Sequence, residues 1–307
     1  MNPQDRFRRW VYLFILSLIW GSSFILIKKG LDSFRADQVA AIRMAVAFIS
    51  LLPFAIRHLK SVKGADLKFI FATGLIGNGI PAFLFAFAQI KIGSAMAGML
   101  NSLTPVFVVV VGIAVFKSRF RGSHILGVVI GLAGATGLIL VNQHGSLDVT
   151  NAGFGLLIIA ATLCYAISVN IMRHKLHHVN AVVITSFALM AAGPPCVVYL
   201  LCTDFASRFN TQPNAWFSFG CVSLLALLST SYSTVLFTKL IKMSNALYAS
   251  SVTYFIPIVA VLWGVWDGEP LGLLHVAAMA GILLGVYLIN LQAVIEWKAK
   301  GKSVESD

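Results

Sequence analysis

Runs of about twenty apolar residues, separated by short polar joints, recur along the whole 307-residue chain and constrain it most. A bilayer core of ~30 Å is crossed by about 20 helical residues, so each run is one crossing long. A chain in lipid must satisfy its own backbone hydrogen bonds, which leaves helices or closed barrels. The runs here are continuous rather than alternating, and that selects helices. Composition agrees: 58% of residues are hydrophobic and 11% charged, too few polar groups to clothe a soluble domain of this size.

The pattern predicts helices at roughly 10–28, 36–56, 67–90, 94–116, 123–142, 152–172, 180–202, 215–240, 245–266 and 271–294. The chain reads as an all-α membrane protein with ten transmembrane helices. The net charge of +12 would suit nucleic acid, but the basic residues lie in short clusters between apolar runs. With the N-terminus placed in the cytoplasm, 17 of the 23 Lys and Arg residues fall on the cytoplasmic side and 5 on the other. That bias predicts an even number of crossings, both termini inside and no nucleic-acid partner. Arg6, Arg8 and Arg9 precede the first run, and Lys28 and Lys29 follow it directly, so it reads as an uncleaved first helix.

The two halves resemble each other. Ile90-Lys91-Ile92-Gly93-Ser94-Ala95 matches Ile241-Lys242-Met243-Ser244-Asn245-Ala246; Pro105 matches Pro257; Gly127 and Gly131 match Gly281 and Gly285. The offsets stay within about 151–154 residues. Five helices per half is an odd number, so the second half enters from the opposite side. Two inverted five-helix repeats follow, at 1–143 and 152–297, with a cytoplasmic tail at 298–307.

Trp20-Gly21-Ser22-Ser23-Phe24, Arg43 in the second helix, the Pro105 and Pro257 helices, and Gly268-Glu269-Pro270 followed by Gly281 and Gly285 resemble the EamA-type drug/metabolite transporter superfamily. The resemblance spans nearly the whole chain. It implies ten helices in two inverted repeats around a substrate cavity, with amino acids as one substrate class. Two departures are Lys117, where many members have Glu, and Tyr165-Ala166, which is not a clear copy of Trp20-Gly21.

A mid-helix proline frees the carbonyl four residues earlier, here those of Asn101 and Thr253. Both neighbourhoods are polar, with Ser102 in the first and Ser250 and Tyr254 in the second, and the two are expected to face a central cavity. The simpler reading is a kink with Ser and Thr bonded back to their own helix. The eighth helix carries the hydroxyl run Ser229–Thr234, including Tyr232, and its counterpart holds Asn78. Trp20 and Tyr165 lie near mid-membrane, and Asn170 accompanies them. The candidate substrate-binding set is therefore Trp20, Asn78, Asn101, Ser102, Tyr165, Asn170, Tyr232, Ser250, Thr253 and Tyr254. Hydroxyls and amides at these positions are also common interhelical glue. Arg43, Pro105, Pro257 and Glu269 are assigned gating or structural roles, Glu269 as a cap or pin on an outer helix end.

All eleven acidic residues fall in loops, tails or helix ends. Without an acid near the midplane, uniport, exchange or coupling through the substrate's charge is expected. No phosphate-binding Gly-rich loop is present, so direct use of ATP is not expected. The four cysteines lack ligand spacing, and His174, His177 and His178 sit among cytoplasmic bases, so neither a metal nor a cofactor is expected. The leading reading is a small-metabolite carrier, most plausibly an exporter, in the plasma membrane of a bacterium. A channel-like facilitator is the alternative. An intramembrane enzyme fits less well, because no His or carboxylate lies at depth to activate Ser102 or Tyr254.

Overall fold

The computed structural model describes residues 3–59, 62, 64–117, 122–140, 151–233, 236–237, 240 and 252–304. The described residues contain helices and no strand. In order they are α1 (Pro3–Leu31), α2 (Ala36–Arg57), α3 (Gly64–Gly74), a π-helical segment (Leu75–Gly79), α4 (Ile80–Ala88), α5 (Ser94–Asn101) and α6 (Thr104–Ala114). There follow α7 (Gly122–Leu140), α8 (Ala152–Lys175), α9 (Ala181–Leu201), α10 (Phe205–Thr211), α11 (Ala215–Leu225), a second π segment (Ala226–Tyr232), α12 (Val252–Trp266) and α13 (Leu273–Val304). Seven described spans are long and apolar enough to cross a bilayer, and three shorter apolar helices lie at His124–Leu140, Val252–Trp266 and Leu273–Ile289. Leu201, Leu273 and Trp266 are among many large apolar side chains left exposed, a surface suited to lipid rather than water.

Three details depart from the expected helices. The fourth span is broken: α5 ends at Asn101 and α6 restarts at Thr104, which puts Pro105 in the first turn of a new helix. Proline costs little there, since first-turn N–H groups have no intrahelical acceptor. The third and eighth spans carry π segments, which hydropathy does not signal. The stretch 205–211, expected as loop, forms α10. Phe205 and Phe209 lie 5.6 Å, centroid to centroid, from Phe34, and Phe209 lies 5.5 Å from Phe219. Seven residues are too few to display a helical period, so aromatic docking, not pattern, defines that element. The expected helix start at 245–251 lies outside the described residues.

Small residues set the closest approaches. A Cβ on Gly127 would lie 2.6 Å from Gly285 O, and one on Gly134 would lie 2.8 Å from Ala278 O, so α7 and α13 touch backbone to backbone. The Gly-x-x-x-Gly pairs of the two halves are thus packed on each other. In the same way α2 lies along α9, α5 along α12, and α1 against both α11 and α12. The spans built from α3–α4 and α5–α6 pack on α8.

Candidate functional site

The first π segment is held where two neighbouring helices approach closely. A Cβ on Gly74 would overlap the Ala188 carbonyl of α9, and one on Gly77 would overlap Ser168 Oγ of α8. Glycine at these positions admits both neighbours at once. A π turn carries one extra residue, and such turns recur at functional sites because the backbone bonds they displace become available. Asn78 sits within the first π segment, partly exposed. No hydrogen bond is recorded for its side chain among the described residues.

The second π segment receives Trp20. Its Nε1 donates to Ser233 Oγ at 2.9 Å and to Ser229 O at 3.2 Å, and its ring lies 5.3 Å from that of Phe237. Ser23 Oγ donates to Ser229 Oγ at 3.0 Å. Ser50 and Ser231 share a hydrogen bond of 2.8 Å, which brings α2 to the same hydroxyl cluster. The run Ser229–Ser233 therefore joins α1, α2 and the eighth span. Tyr232, the largest member of the run, turns away and is 51% exposed.

Arg43 of α2 faces the hydroxyl of Tyr165 of α8, within hydrogen-bonding reach. Its Nε is buried and makes no hydrogen bond. No ion pair to Arg43 occurs among the described residues. Phe85 stacks on the far side of this group, 6.0 Å from Tyr165 and 5.7 Å from Phe24. A guanidinium, a phenol and an aromatic wall thus meet between the two halves of the chain.

The remaining candidates have local partners. Thr104 Oγ1 donates to Asn101 O at 2.8 Å, so the carbonyl released at the break is satisfied within its own turn. Ser102 is 3% exposed and donates to Gly98 O at 3.3 Å. Asn170 is 2% exposed and donates to Ala166 O and to Val108 O, tying α8 to α6. Tyr254 Oη donates to Val286 O at 3.2 Å, tying α12 to α13. Thr253 is partly exposed near the start of α12, and Pro257 is buried inside that helix. Ser250 lies outside the described residues. The structure thus groups Trp20 with the Ser229–Ser233 cluster and Arg43 with Tyr165, while Ser102 and Asn170 are used in helix contacts.

At one end of the bundle Glu269 joins three elements. Its Oε1 accepts from Lys28 Nζ at 2.7 Å, Ser94 N at 2.7 Å and Ser94 Oγ at 2.9 Å, and its Oε2 accepts from Ala95 N at 2.9 Å. A carboxylate at the N-terminus of α5 satisfies two otherwise unpaired N–H groups and meets the positive end of the helix dipole. Asp267 completes the network, 2.8 Å from Lys28 and 2.6 Å from Lys29. Burial pushes the Glu269 carboxyl up, but its bonds to Lys28, Ala95 and Ser94 outweigh that and hold it below its usual value. Gly93 and Gly264 make room: a Cβ on either would come within 2.8 Å of Glu269 Oε2. A second network at the same end links Gln38 to Asp204 at 2.7 Å and Asp204 to Arg208 at 2.9 Å. The sequence carried no sign of these partners beyond Glu269 itself, because they come from turns far apart in the chain.

The sequence profile of the EamA-like transporter family matches residues 9–140 and again residues 154–291. The chain belongs to the EamA-like transporter family. It is a multi-pass membrane transporter, not an enzyme. An uncharacterised transporter of Archaeoglobus fulgidus is 25% identical over 283 residues, covering 92% of this chain and 98% of that relative. The inner membrane transporter YedA of Escherichia coli K12 is 26% identical over 284 residues, with 91% and 89% covered. A probable amino-acid metabolite efflux pump of Salmonella typhimurium is 22% identical over 282 residues, with 89% and 92% covered. A solved crystal structure at 18% identity superposes with a TM-score of 0.60 over 92% of this chain and 96% of that one, a likeness of fold alone.

Proposed function

We propose that the chain is a secondary carrier that exports small metabolites, amino acids among them, by alternating access. The observation that carries this reading is the exchange symmetry of its packing. Assign the ten spans to two halves, 1–143 and 152–297, with 298–307 as a tail. Swapping the halves then exchanges the contact of α1 with α12 for that of α8 with α5–α6. It exchanges α1 with α11 for α8 with α3–α4, and leaves α2 on α9, α5 on α12 and α7 on α13 in place. The π segments, Leu75–Gly79 and Ala226–Tyr232, also exchange. This supports two inverted repeats that close alternately on either side of one site.

The site in this reading lies where Trp20, Asn78, Tyr165 and the hydroxyl cluster approach the interface between halves. Among the described residues Arg43 supplies the cation deepest within a span. A half-buried arginine with a buried, unbonded Nε and no acid partner among the described residues favours a solute that brings its own negative charge. Asn101, Thr253 and Tyr254 border the same interface, with Pro105 and Pro257 shaping its helices; Ser250 is added from its place in the sequence alone and lies outside the described residues. Glu269 and Lys28 act as a latch at the outer end. The Lys and Arg distribution supports cytoplasmic termini in a bacterial inner membrane, and the relative named as an amino-acid metabolite efflux pump supports the solute class.

Counterflow in proteoliposomes tests the proposal. Vesicles loaded with an unlabelled amino-acid mixture should transiently accumulate labelled members of one class, with saturation. Linear, unsaturable entry would favour a channel-like path, and no accumulation from folded, inserted protein would refute the carrier.

A further inference from the structure

A recess of about 510 Å³ lies between α1, α11 and α12. Each of the first two helices gives it one face. On α1 that face is Leu18, Ser22, Ile25 and Lys29, three or four residues apart; along α11 and the π segment it is Phe217, Cys221, Leu224 and Leu228. The wall is almost wholly apolar, because its polar members are engaged with protein partners. Ser22 Oγ accepts from Trp263 Nε1 at 2.8 Å, Ser229 Oγ accepts from Ser23, and Lys29 pairs with Asp267 at 2.6 Å. Leu18, Phe217, Leu224 and Trp266 on the same wall are exposed, so the recess opens sideways, toward lipid.

We infer that this recess holds one acyl chain of a membrane phospholipid, drawn from the leaflet at the Glu269 end of the bundle. Depth and polarity carry the assignment. Lys29, Asp267 and Trp266 mark one end of the recess, and Leu18 and Leu228 mark the other, beside the Trp20–Ser229 contact. Leu18 and Lys29 are separated along α1 by a rise of about 16 Å. One leaflet of a ~30 Å hydrocarbon core is about 15 Å deep, so the recess runs from the headgroup level to mid-bilayer. Tryptophan at its outer rim suits that level. A polar solute along this wall would lose its water and find no free partner, whereas a hydrocarbon chain fills the gap at no such cost. The Lys29–Asp267 pair at the rim is closed and neutral, so recognition reads the chain and not the charge of the headgroup. Because α1 belongs to the first family match and α11 and α12 to the second, the chain lies across the seam between the halves. Lipid that merely coats the bundle does not.

Native mass spectrometry of the purified full chain tests this. The protein is reloaded with palmitoyl-oleoyl phosphatidylethanolamine and sprayed from micelles at an energy that strips loosely attached lipid. The parent should keep a single phospholipid, and the dihexanoyl homologue, whose chains are too short to follow the recess, should be lost. Cys221→Trp and Leu224→Trp each put a ring into the recess. Each should cut the retained fraction about tenfold or more, the effect of displacing as few as about two buried methylenes. Leu201→Trp, at the exposed end of α9 and outside the recess, should retain lipid like the parent. Leu224 is 46% exposed at the mouth, so its variant decides the matter even if Cys221→Trp does not fold. No lipid kept by the parent, undiminished retention in Leu224→Trp, or an equal loss in Leu201→Trp would overturn the site. Equal retention of the dihexanoyl homologue would overturn it as well, by moving recognition to the headgroup. The inference needs the chain in a bilayer but not the carrier mechanism, so a failed counterflow experiment leaves it standing.

Discussion

At the residue scale, Glu269 and Arg43 are opposite solutions to a charge drawn at least partly out of water. Glu269 is 10% exposed in its side chain yet surrounded by donors. Replacing it with Gln removes the ion pair to Lys28 and leaves one polar end facing two backbone N–H groups. Loss of about 1–3 kcal/mol is expected, measurable as a lower melting temperature in detergent. The pH dependence has a definite sign. The folded carboxyl lies below its ordinary 4.5, so its contribution is complete above that value and is lost as pH falls through the folded pKa. Asp267 behaves alike from 3.8, its burial outweighed by bonds to Lys28 and Lys29. The melting temperature should therefore stay level at mild acidity and fall only below about pH 4.5, with a smaller fall in Glu269→Gln. A profile in the variant identical to that of the parent would remove Glu269 from the latch. Arg43 has no such partner. Arg43→Gln should keep membrane abundance and lower counterflow by about tenfold or more, the effect of one lost charge-assisted contact to solute. Unchanged kinetics would make it a structural residue only.

At the scale of elements, the π segments and glycine crossings carry the architecture. A bulky side chain at Gly77 would overlap Ser168 of α8, whereas Gly220 has nothing within 4 Å of where its Cβ would stand. Gly77→Leu is expected to destabilise by ~1–3 kcal/mol through overpacking. Gly220→Ala, in the interior of α11, should be neutral or stabilise by up to about 1 kcal/mol. Thermal unfolding of the pair distinguishes packing from propensity, and equal effects would contradict the crossing. The spans themselves were legible in the sequence, as were the glycine pairs of α7 and α13, because hydropathy and small-residue spacing are local signals. The break at Asn101–Thr104 was legible only as a kink. The π segments were not legible, since their hydrogen-bond shift leaves no mark on composition. Helix α10 owes its place to Phe34 and Phe219, residues from two other parts of the chain.

At the scale of the whole molecule, the distribution of charge decides what can drive transport. Apart from Glu296, in the C-terminal part of α13, the described acidic residues sit at helix ends and turns, and the ion pairs of Asp204, Asp267 and Glu269 lie at one end of the bundle. A carrier without a mid-span acid has no group to take up a proton at the site. Exchange in proteoliposomes held at zero voltage should therefore be unchanged by a protonophore, and its collapse would reveal a proton relay.

Local hydropathy was sufficient to specify an all-helical membrane protein, because lipid forces each apolar run to satisfy its own backbone and so makes its structure a property of its own residues; the transporter class came from the resemblance of its motifs to EamA-type transporters. Which side chains meet was a different matter. Asn101, Ser102 and Asn170 were expected at the site, and the fold adds nearby partners for Ser102, Asn170 and the released Asn101 carbonyl that the sequence did not specify. Arg43 was assigned a gating or structural role, and the fold sets it against Tyr165 with an unmet Nε. A hydrogen bond depends on positions a few ångströms apart in space and often a hundred or more residues apart in sequence, so only the packed helices could decide those assignments.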